Sequence, residues 1–121
     1  MYKDAYLIGS TWRGNKNPND IDLVVESYDI FEQSNPDVKR VSDGLKFRKY
    51  AHHNKNLNVW QIDEPNLLYY VGMRRLSKGT LIHFKRIARL KGYTLDDNGI
   101  TKNDVLITNS WTDIHKLLFG V

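Results

Sequence analysis

The sequence predicts an α+β fold in which a small sheet domain, residues 1–65, precedes a compact and mainly helical lobe, residues 66–121. Short apolar runs bounded by Gly, Asn, Pro or Asp in the first half are typical of strands. A basic stretch with apolar residues at helical spacing in the second half is typical of an amphipathic helix. A chain of 121 residues allows one domain or two small lobes, and we expect the boundary near Pro65.

The elements predicted in the first half are four strands and one short helix. The strands cover residues 5–8, 21–26, 45–50 and 57–62. Each of these segments is a short apolar or alternating run flanked by polar and turn-forming residues. The helix falls within residues 27–40, where Pro36 limits its length.

The second half is expected to contain two helices after a short apolar segment, residues 67–71, that Gly72 closes. Residues 80–91 form the first helix, and Gly92 stands where its C-cap is expected. Its apolar face comprises Leu81, Phe84, Ile87, Ala88 and Leu90. Thr112 is expected to cap a final helix over residues 113–119.

The composition excludes several classes of chemistry. The chain has no cysteine, so disulfide scaffolds, thiol nucleophiles and cysteine-based zinc sites are excluded. No apolar run approaches the roughly 20 residues that span a bilayer, and the N-terminus lacks a signal-peptide pattern. We therefore expect a soluble protein of the cytoplasm, or one that is otherwise intracellular, with no membrane partner.

The net charge of +4 is concentrated in one segment of the second half. Seven cations lie there with no acidic residue between them: Arg74, Arg75, Lys78, Lys85, Arg86, Arg89 and Lys91. Such a basic helix is suited to bind nucleic-acid phosphates. The alternative is a solvated helix face that only aids solubility.

The strongest chemical motif is Gly9-Ser10 followed, after nine intervening residues, by Asp20-Ile21-Asp22. Alternate side chains of a strand share a face, so the two carboxylates lie roughly 7 Å apart on one face. Such a pair can bridge two hard cations, the arrangement used for phosphoryl transfer. The Gly9-Ser10 backbone allows phosphate oxygens to approach, and Arg13 is within reach of them. The alternative is a solvated strand edge.

Four blocks in this order resemble the family X DNA polymerases, the beta-like repair polymerases of the nucleotidyltransferase superfamily. The first block is Gly9-Ser10, Arg13 and the strand that begins at Asp20. The second, Leu67-Leu68-Tyr69-Tyr70-Val71-Gly72, is similar to the start of the family's nucleotide-binding lobe. The third, at residues 91–100, and the tail, at residues 112–121, are similar to segments that follow it.

The resemblance implies a nucleotidyltransferase palm followed by a thumb-like nucleotide-binding and DNA-binding lobe. Asp20 and Asp22 would hold two Mg²⁺ ions, for which Mn²⁺ is a substitute. The residues implied to contact the deoxynucleoside triphosphate are Gly9, Ser10, Arg13, Tyr69, Tyr70 and Gly72. One of the two tyrosines would exclude the ribose hydroxyl, although simple packing is the alternative for both.

Family members use a third carboxylate on a neighbouring strand, and here its expected position falls on Asn58. Asp63 is the alternative, but only three residues separate it from Leu67, where the next lobe starts. We favour Asn58. An amide keeps one oxygen ligand but loses the negative charge and cannot act as a base. Asn58 is then either native or an engineered replacement of aspartate.

The resemblance implies a minimal polymerase, of viral or phage type, that adds dNMP to a primer 3′-hydroxyl. Its partner would be a gapped or nicked primer-template DNA, and its role gap-filling repair. One alternative is a minimal nucleotidyltransferase that modifies a protein, a tRNA or a small molecule. A second is a form that binds nucleic acid or nucleotide without turnover because of Asn58. The helix that usually covers the first strand is missing, so we also expect a homodimer.

Overall fold

The computed structural model describes residues 2–14 and 20–120. Of these residues, 39% are helical and 32% lie in strands, so the mixed α+β class is confirmed. The chain divides into two compact units between Leu67 and Leu68. Sequence analysis placed the boundary near Pro65, two residues earlier.

The first unit is built on a five-stranded mixed sheet. Its strands are β1 (Tyr6–Ile8), β2 (Asp20–Val25), β3 (Lys39–Asp43), β4 (Arg48–His52) and β5 (Lys55–Gln61). Their order across the sheet is β1-β2-β5-β4-β3, in which β2 and β5 run parallel and the other pairs are antiparallel. The parallel pair therefore occupies the centre of the sheet.

One face of this sheet carries the core of the unit. Strand β2 alternates, so Ile21, Leu23 and Val25 point to the same side, where Phe31 packs on them. Phe31 belongs to helix α2 (Tyr28–Ser34), whose first turn is capped because the Ser27 hydroxyl accepts a hydrogen bond from the Ile30 N–H at 3.3 Å. A short helix, α1 (Gly9–Trp12), follows β1 directly.

Strand β3 was not expected from the sequence. All five of its residues are exposed, so no apolar alternation marks it. Its antiparallel pairing with β4 holds it, and ion pairs accompany that pairing. Arg40 of β3 pairs with Glu32 at 3.0 Å, and Arg48 pairs with both Glu32 and Asp43 at 2.9 and 3.2 Å. The strand expected at residues 45–50 begins only at Arg48, because the turn before it joins β3 to β4.

The second unit contains helices and a small antiparallel sheet. Its elements, together with the helix that leads into it, are α3 (Glu64–Arg75), α4 (Lys78–Leu90), β6 (Thr94–Asp96), β7 (Gly99–Lys102), β8 (Val105–Thr108) and α5 (Trp111–Phe119). The strands form a sheet in the order β6-β7-β8. The core contains Tyr69, Met73, Ala88, Leu95, Ile100, Ile114 and Leu118.

Four expectations for this unit need correction. Residues 67–71 were expected to form a short apolar segment closed by Gly72, but they lie inside α3, so the described residues of this half contain three helices and not two. The lobe was expected to be mainly helical, but it also contains a three-stranded sheet. The β7–β8 hairpin of this sheet turns at Asn103 and Asp104, with φ of 51° and 63°. The final helix begins at Trp111 with Ser110 at the N-cap position, so Thr112 lies inside its first turn and does not cap it. Leu90 ends α4 and is 82% exposed, so it is not part of the apolar face.

Helix α4 otherwise follows the expected pattern. It starts at Lys78, where the Ser77 hydroxyl accepts a hydrogen bond from the Thr80 N–H at 3.2 Å. Leu81, Phe84 and Ile87 pack against the core. Within residues 2–14 and 20–120, no helix is long and apolar enough to cross a membrane.

Candidate active site

Asp20 and Asp22 lie on the sheet face opposite the core of the first unit. Their neighbours Ile21 and Leu23 are buried in that core, so strand alternation directs both carboxylates to the other face. Asp20 is exposed and Asp22 is half-buried. The two residues are roughly 7 Å apart along the strand. The two carboxylates are therefore not part of the core of the first unit.

Gly9 lies directly against Asp22. Its φ of +64° is in the left-handed region, and a Cβ at this position would stand 2.9 Å from Oδ2 of Asp22. The strand pairing explains the approach, because Ile8 at the end of β1 is the register partner of Asp22. Glycine at position 9 therefore lets the backbone pass beside the carboxylate without a clash.

Asn58 is the residue that β5 places beside Asp22. The two are register partners in the parallel β2–β5 pair, and the Asn58 amide Nδ2 donates a hydrogen bond to Oδ1 of Asp22 at 3.1 Å. Both side chains are half-buried. The register thus joins a carboxylate and an amide on adjacent strands.

Asp63, the alternative for the third position, lies at the other end of the strand. Strand β5 continues for about 10 Å from Asn58 to Gln61, and Asp63 follows two residues later. The Ile62 N–H there donates to the carbonyl of Val25, at the far end of β2. The structure therefore brings Asn58 to Asp22 and keeps Asp63 away from it.

The donor set at this face fits a hard divalent cation in part. Carboxylate and amide oxygens are ligands that Mg²⁺ accepts, and Asp20 and Asp22 would supply the two charged groups. The close approach of Gly9 leaves space beside Asp22 that any other side chain would fill. Over the described part of the chain, no cluster of three or more His, Cys, Asp or Glu side chains has the arrangement of a metal site. The third anionic ligand is therefore absent from this set.

Ser10 and Arg13, which the sequence assigns to the triphosphate, lie on and just after α1. Both are exposed, and the Arg13 N–H donates to the carbonyl of Gly9 at 3.2 Å. Both residues are close in sequence to Gly9, which lies against Asp22. Residues 15–19 of the Gly-Ser to Asp20 spacing, and Val121 of the tail block, lie outside the described residues.

Tyr69 and Gly72, assigned to the nucleotide sugar, are used by the packing of the second unit. Tyr69 is 2% exposed, its hydroxyl donates to the carbonyl of Asp96, and its ring stacks on Trp111 at 5.1 Å. A Cβ on Gly72 would stand 2.2 Å from Nε1 of Trp111. That Nε1 in turn donates to the Tyr69 carbonyl at 3.1 Å. Packing within the second unit therefore accounts for Tyr69 and Gly72.

Tyr70 is more accessible than Tyr69. It is half-buried, and the Arg74 guanidinium lies 5.7 Å from its ring centroid, with Nη1 3.4 Å from the hydroxyl. Burial raises the pKa of Tyr70 above its ordinary value, and the nearby Arg74 charge opposes that shift. Tyr70 remains the tyrosine that is suited to contact a ligand.

The basic residues form a stripe on α4. At 3.6 residues per turn, four of them fall within a sector of roughly 100°. These are Lys78, Lys85, Arg86 and Arg89, and all four are exposed. Arg74 and Arg75 end α3 and are half-buried, and Lys91 follows α4 and is exposed. The stripe lies away from the apolar side of the helix.

Lys49 is a candidate residue that sequence reasoning missed. It is the β4 register partner of Asn58, so the same row across the sheet contains Asp22, Asn58 and an exposed lysine. Alternation within β4 assigns Lys49 a face, but only the pairing of β4 with β5 brings it beside Asn58. A cation at this position is suited to contact an anionic substrate.

No protein-family model and no curated protein sequence matches this chain.

Proposed function

We propose that the first unit catalyses nucleotidyl transfer, with Asp20 and Asp22 as the metal-holding carboxylates. The observation that carries the proposal is the glycine approach at Asp22. Gly9, which has no Cβ and a left-handed backbone conformation, lies against one carboxylate oxygen of Asp22. The strand neighbours of Asp22, Ile21 and Leu23, are both buried in the core. This arrangement supports close approach of a phosphate to the carboxylate row.

The proposed reaction joins an acceptor hydroxyl to the α-phosphorus of a deoxynucleoside triphosphate. A P–O bond forms to the acceptor oxygen, the bond from the α-phosphorus to the bridging oxygen breaks, and pyrophosphate leaves. The hydroxyl proton passes to solvent, because Asn58 beside Asp22 cannot accept it. Bound Mg²⁺ would stabilise negative charge on the attacking and leaving oxygens. Ser10, Arg13 and Lys49 are the candidate contacts to the triphosphate.

The acceptor that we favour is the 3′-hydroxyl of a DNA primer in a gapped or nicked duplex. The exposed stripe on α4 supports this choice, because four aligned cations suit a phosphate backbone. The activity would be a weak form of gap-filling synthesis. Asn58 occupies the strand position next to Asp22 without the charge of a third carboxylate, so we expect slow turnover.

A second candidate is a minimal nucleotidyltransferase that acts on a protein, a tRNA or a small molecule. The packing of Tyr69 and Gly72 favours it, because two residues that indicated a polymerase lobe have a structural cause in Trp111. A third possibility, binding without turnover, follows if Asn58 cannot support catalysis.

Primer extension on a one-nucleotide-gapped duplex tests the proposal. The chain is assayed with Mg²⁺ or Mn²⁺ and each dNTP, beside Asp22→Asn and the matched control Asp63→Asn. We expect templated incorporation that Asp22→Asn lowers by on the order of 1000-fold, about 4 kcal/mol of barrier, and that Asp63→Asn leaves within twofold. Equal loss in both variants contradicts the assignment of the site.

A parallel assay with labelled NTPs separates the acceptors. Label on a polypeptide or tRNA, with no DNA extension and with the same dependence on Asp22, supports the second candidate. Binding of gapped DNA with no incorporation of any label supports the third.

A further inference from the structure

The first unit contains a concave site, of about 810 Å³, that the proposed chemistry does not use. Ile21 lines it, and the Ile21 side chain points to the sheet face opposite Asp20 and Asp22. We call this site the back pocket. Its volume is within the range of roughly 300–1,000 Å³ that is typical of small-molecule sites.

The floor of the back pocket is apolar. Leu7, Ile21 and Val38 line it, and each belongs to the core of the first unit or packs against that core. These side chains are fixed by the sheet, so the floor is formed before any ligand arrives. An apolar floor of this kind suits the flat body of an aromatic compound.

Hydrogen bonds hold the walls of the back pocket in place. The Tyr2 hydroxyl and Nδ1 of His52 are 2.9 Å apart, which joins the start of the chain to β4. The Lys3 N–H donates to Oδ1 of Asn35, and Nδ2 of Asn35 donates to the carbonyl of Lys3, both at 2.9 Å. The pocket is therefore built by residues distant in sequence, which favours a stable cavity.

The rim of the back pocket is mainly cationic. Lys3 and Lys55 line the cavity and are exposed, and Asp37 is its one acidic lining residue among those described. Thr11 also lines it, and its hydroxyl oxygen is buried with no hydrogen-bond partner in the described part of the chain. A buried hydroxyl without a partner is costly, and a ligand acceptor would satisfy it.

We propose that the back pocket binds a small organic anion with a flat apolar body. The body would rest on Leu7, Ile21 and Val38, and the anionic group would lie toward Lys3 and Lys55 and accept a hydrogen bond from Thr11. The site lies on the opposite sheet face from the candidate metal carboxylates. Its occupant is therefore not the triphosphate of the proposed reaction, and the inference does not depend on that reaction.

A pair of fluorescent probes tests the chemistry of the pocket. 8-Anilinonaphthalene-1-sulfonate carries a flat apolar body and one anion, and N-phenyl-1-naphthylamine is the same body without the anion. We expect the sulfonate to bind one site saturably. Lys55→Glu and Lys3→Glu should each weaken it about tenfold, and neither should change binding of the neutral probe by more than twofold.

Lys46→Glu is the matched control, because it makes the same charge change at an exposed lysine that does not line the pocket. It should alter sulfonate binding by less than twofold. Thr11→Val, which removes the buried hydroxyl at nearly constant volume, should weaken the sulfonate several-fold and leave the neutral probe unchanged.

The location of the probe is measured by amide chemical-shift changes in the ¹H–¹⁵N spectrum. Shifts centred on Thr11, Asn35 and Lys55 support the proposal. The proposal is overturned if the shifts centre on Val105–Thr108, an exposed apolar edge strand, or if Lys46→Glu weakens the sulfonate as much as Lys55→Glu does. Absence of saturable binding overturns it as well.

Discussion

The two units treat their candidate ligand-binding residues in opposite ways. In the first unit, the side chains of Asp20, Asp22 and Asn58 are not part of the core. In the second unit, Tyr69 and Gly72 are part of the core or pack directly on it. Substitutions of these three polar side chains should therefore separate chemistry from stability, and substitutions of Tyr69 or Gly72 should not.

The largest expected effect on stability is at Gly72. An added Cβ would meet Trp111 at 2.2 Å, so Gly72→Ala should lower the free energy of unfolding by about 3 kcal/mol. Gly79→Ala is the control, since no heavy atom lies within 4 Å of its Cβ position and alanine favours the helix. It should raise stability by up to about 1 kcal/mol. Urea unfolding followed by circular dichroism measures both, and equal effects would refute the packing role.

Gly9→Ala should damage both stability and site geometry. Its φ of +64° and its contact with Asp22 should together cost about 2 kcal/mol. Gly14→Ala, with φ of +95° and no described atom within 4 Å, isolates the backbone cost of about 1 kcal/mol. In a double-mutant cycle, Asp22→Ala should remove the part of the Gly9→Ala cost that comes from the contact with Asp22. If Gly9→Ala costs the same with and without Asp22, the contact is not significant.

Tyr69→Phe should cost about 1 kcal/mol at pH 7, the value of the hydrogen bond to the Asp96 carbonyl. Burial raises the pKa of Tyr69, and the charges of Asp96 and Asp97 raise it further. The unfolded chain therefore ionises first, and the stabilisation from the protonated phenol is lost as the pH rises above about 10. Unfolding curves at pH 7 to 11 should show the gap between the two proteins closing. A constant gap would contradict this.

The smallest effects should come from single cations on α4. Lys85→Ala should weaken binding to gapped DNA by a few-fold and reduce the slope of log affinity against log salt by about 1. Lys116→Ala, an exposed lysine of α5, is the control and should change neither. Fluorescence anisotropy at several salt concentrations measures the slope. Equal slopes for all three proteins would identify the stripe as a solvated surface.

Periodicity predicted the elements whose burial is one-sided. Strand β2 alternates and α4 has a clear apolar side, so both were identified within a few residues. Strand β3 was missed because every residue in it is exposed, so its sequence shows no alternation of apolar and polar residues. Strand β8 was missed because Val105, Leu106 and Ile107 are consecutive apolar residues, so its sequence shows no alternation. All three are exposed.

Local geometry predicted only part of the site, and Asn58 was assigned to it through the family resemblance. Alternation alone places Asp20 and Asp22 on one face. The position of Asn58 beside Asp22, and that of Lys49 beside Asn58, depend on strand register, which tertiary pairing sets. The packing role of Gly72 depends on Trp111, which is distant in the chain, whereas the family resemblance had implied a ligand contact at Gly72.

The role of position 58 is tested by the rate of single-nucleotide incorporation into gapped DNA by Asn58→Asp, measured beside the unchanged chain. We propose that position 58 completes the metal site with Asp22, which its register and 3.1 Å hydrogen bond support. We expect a Mg²⁺-dependent rate at least about 100-fold higher for the variant, near 3 kcal/mol of barrier. An unchanged rate, or no incorporation by either protein, would contradict it.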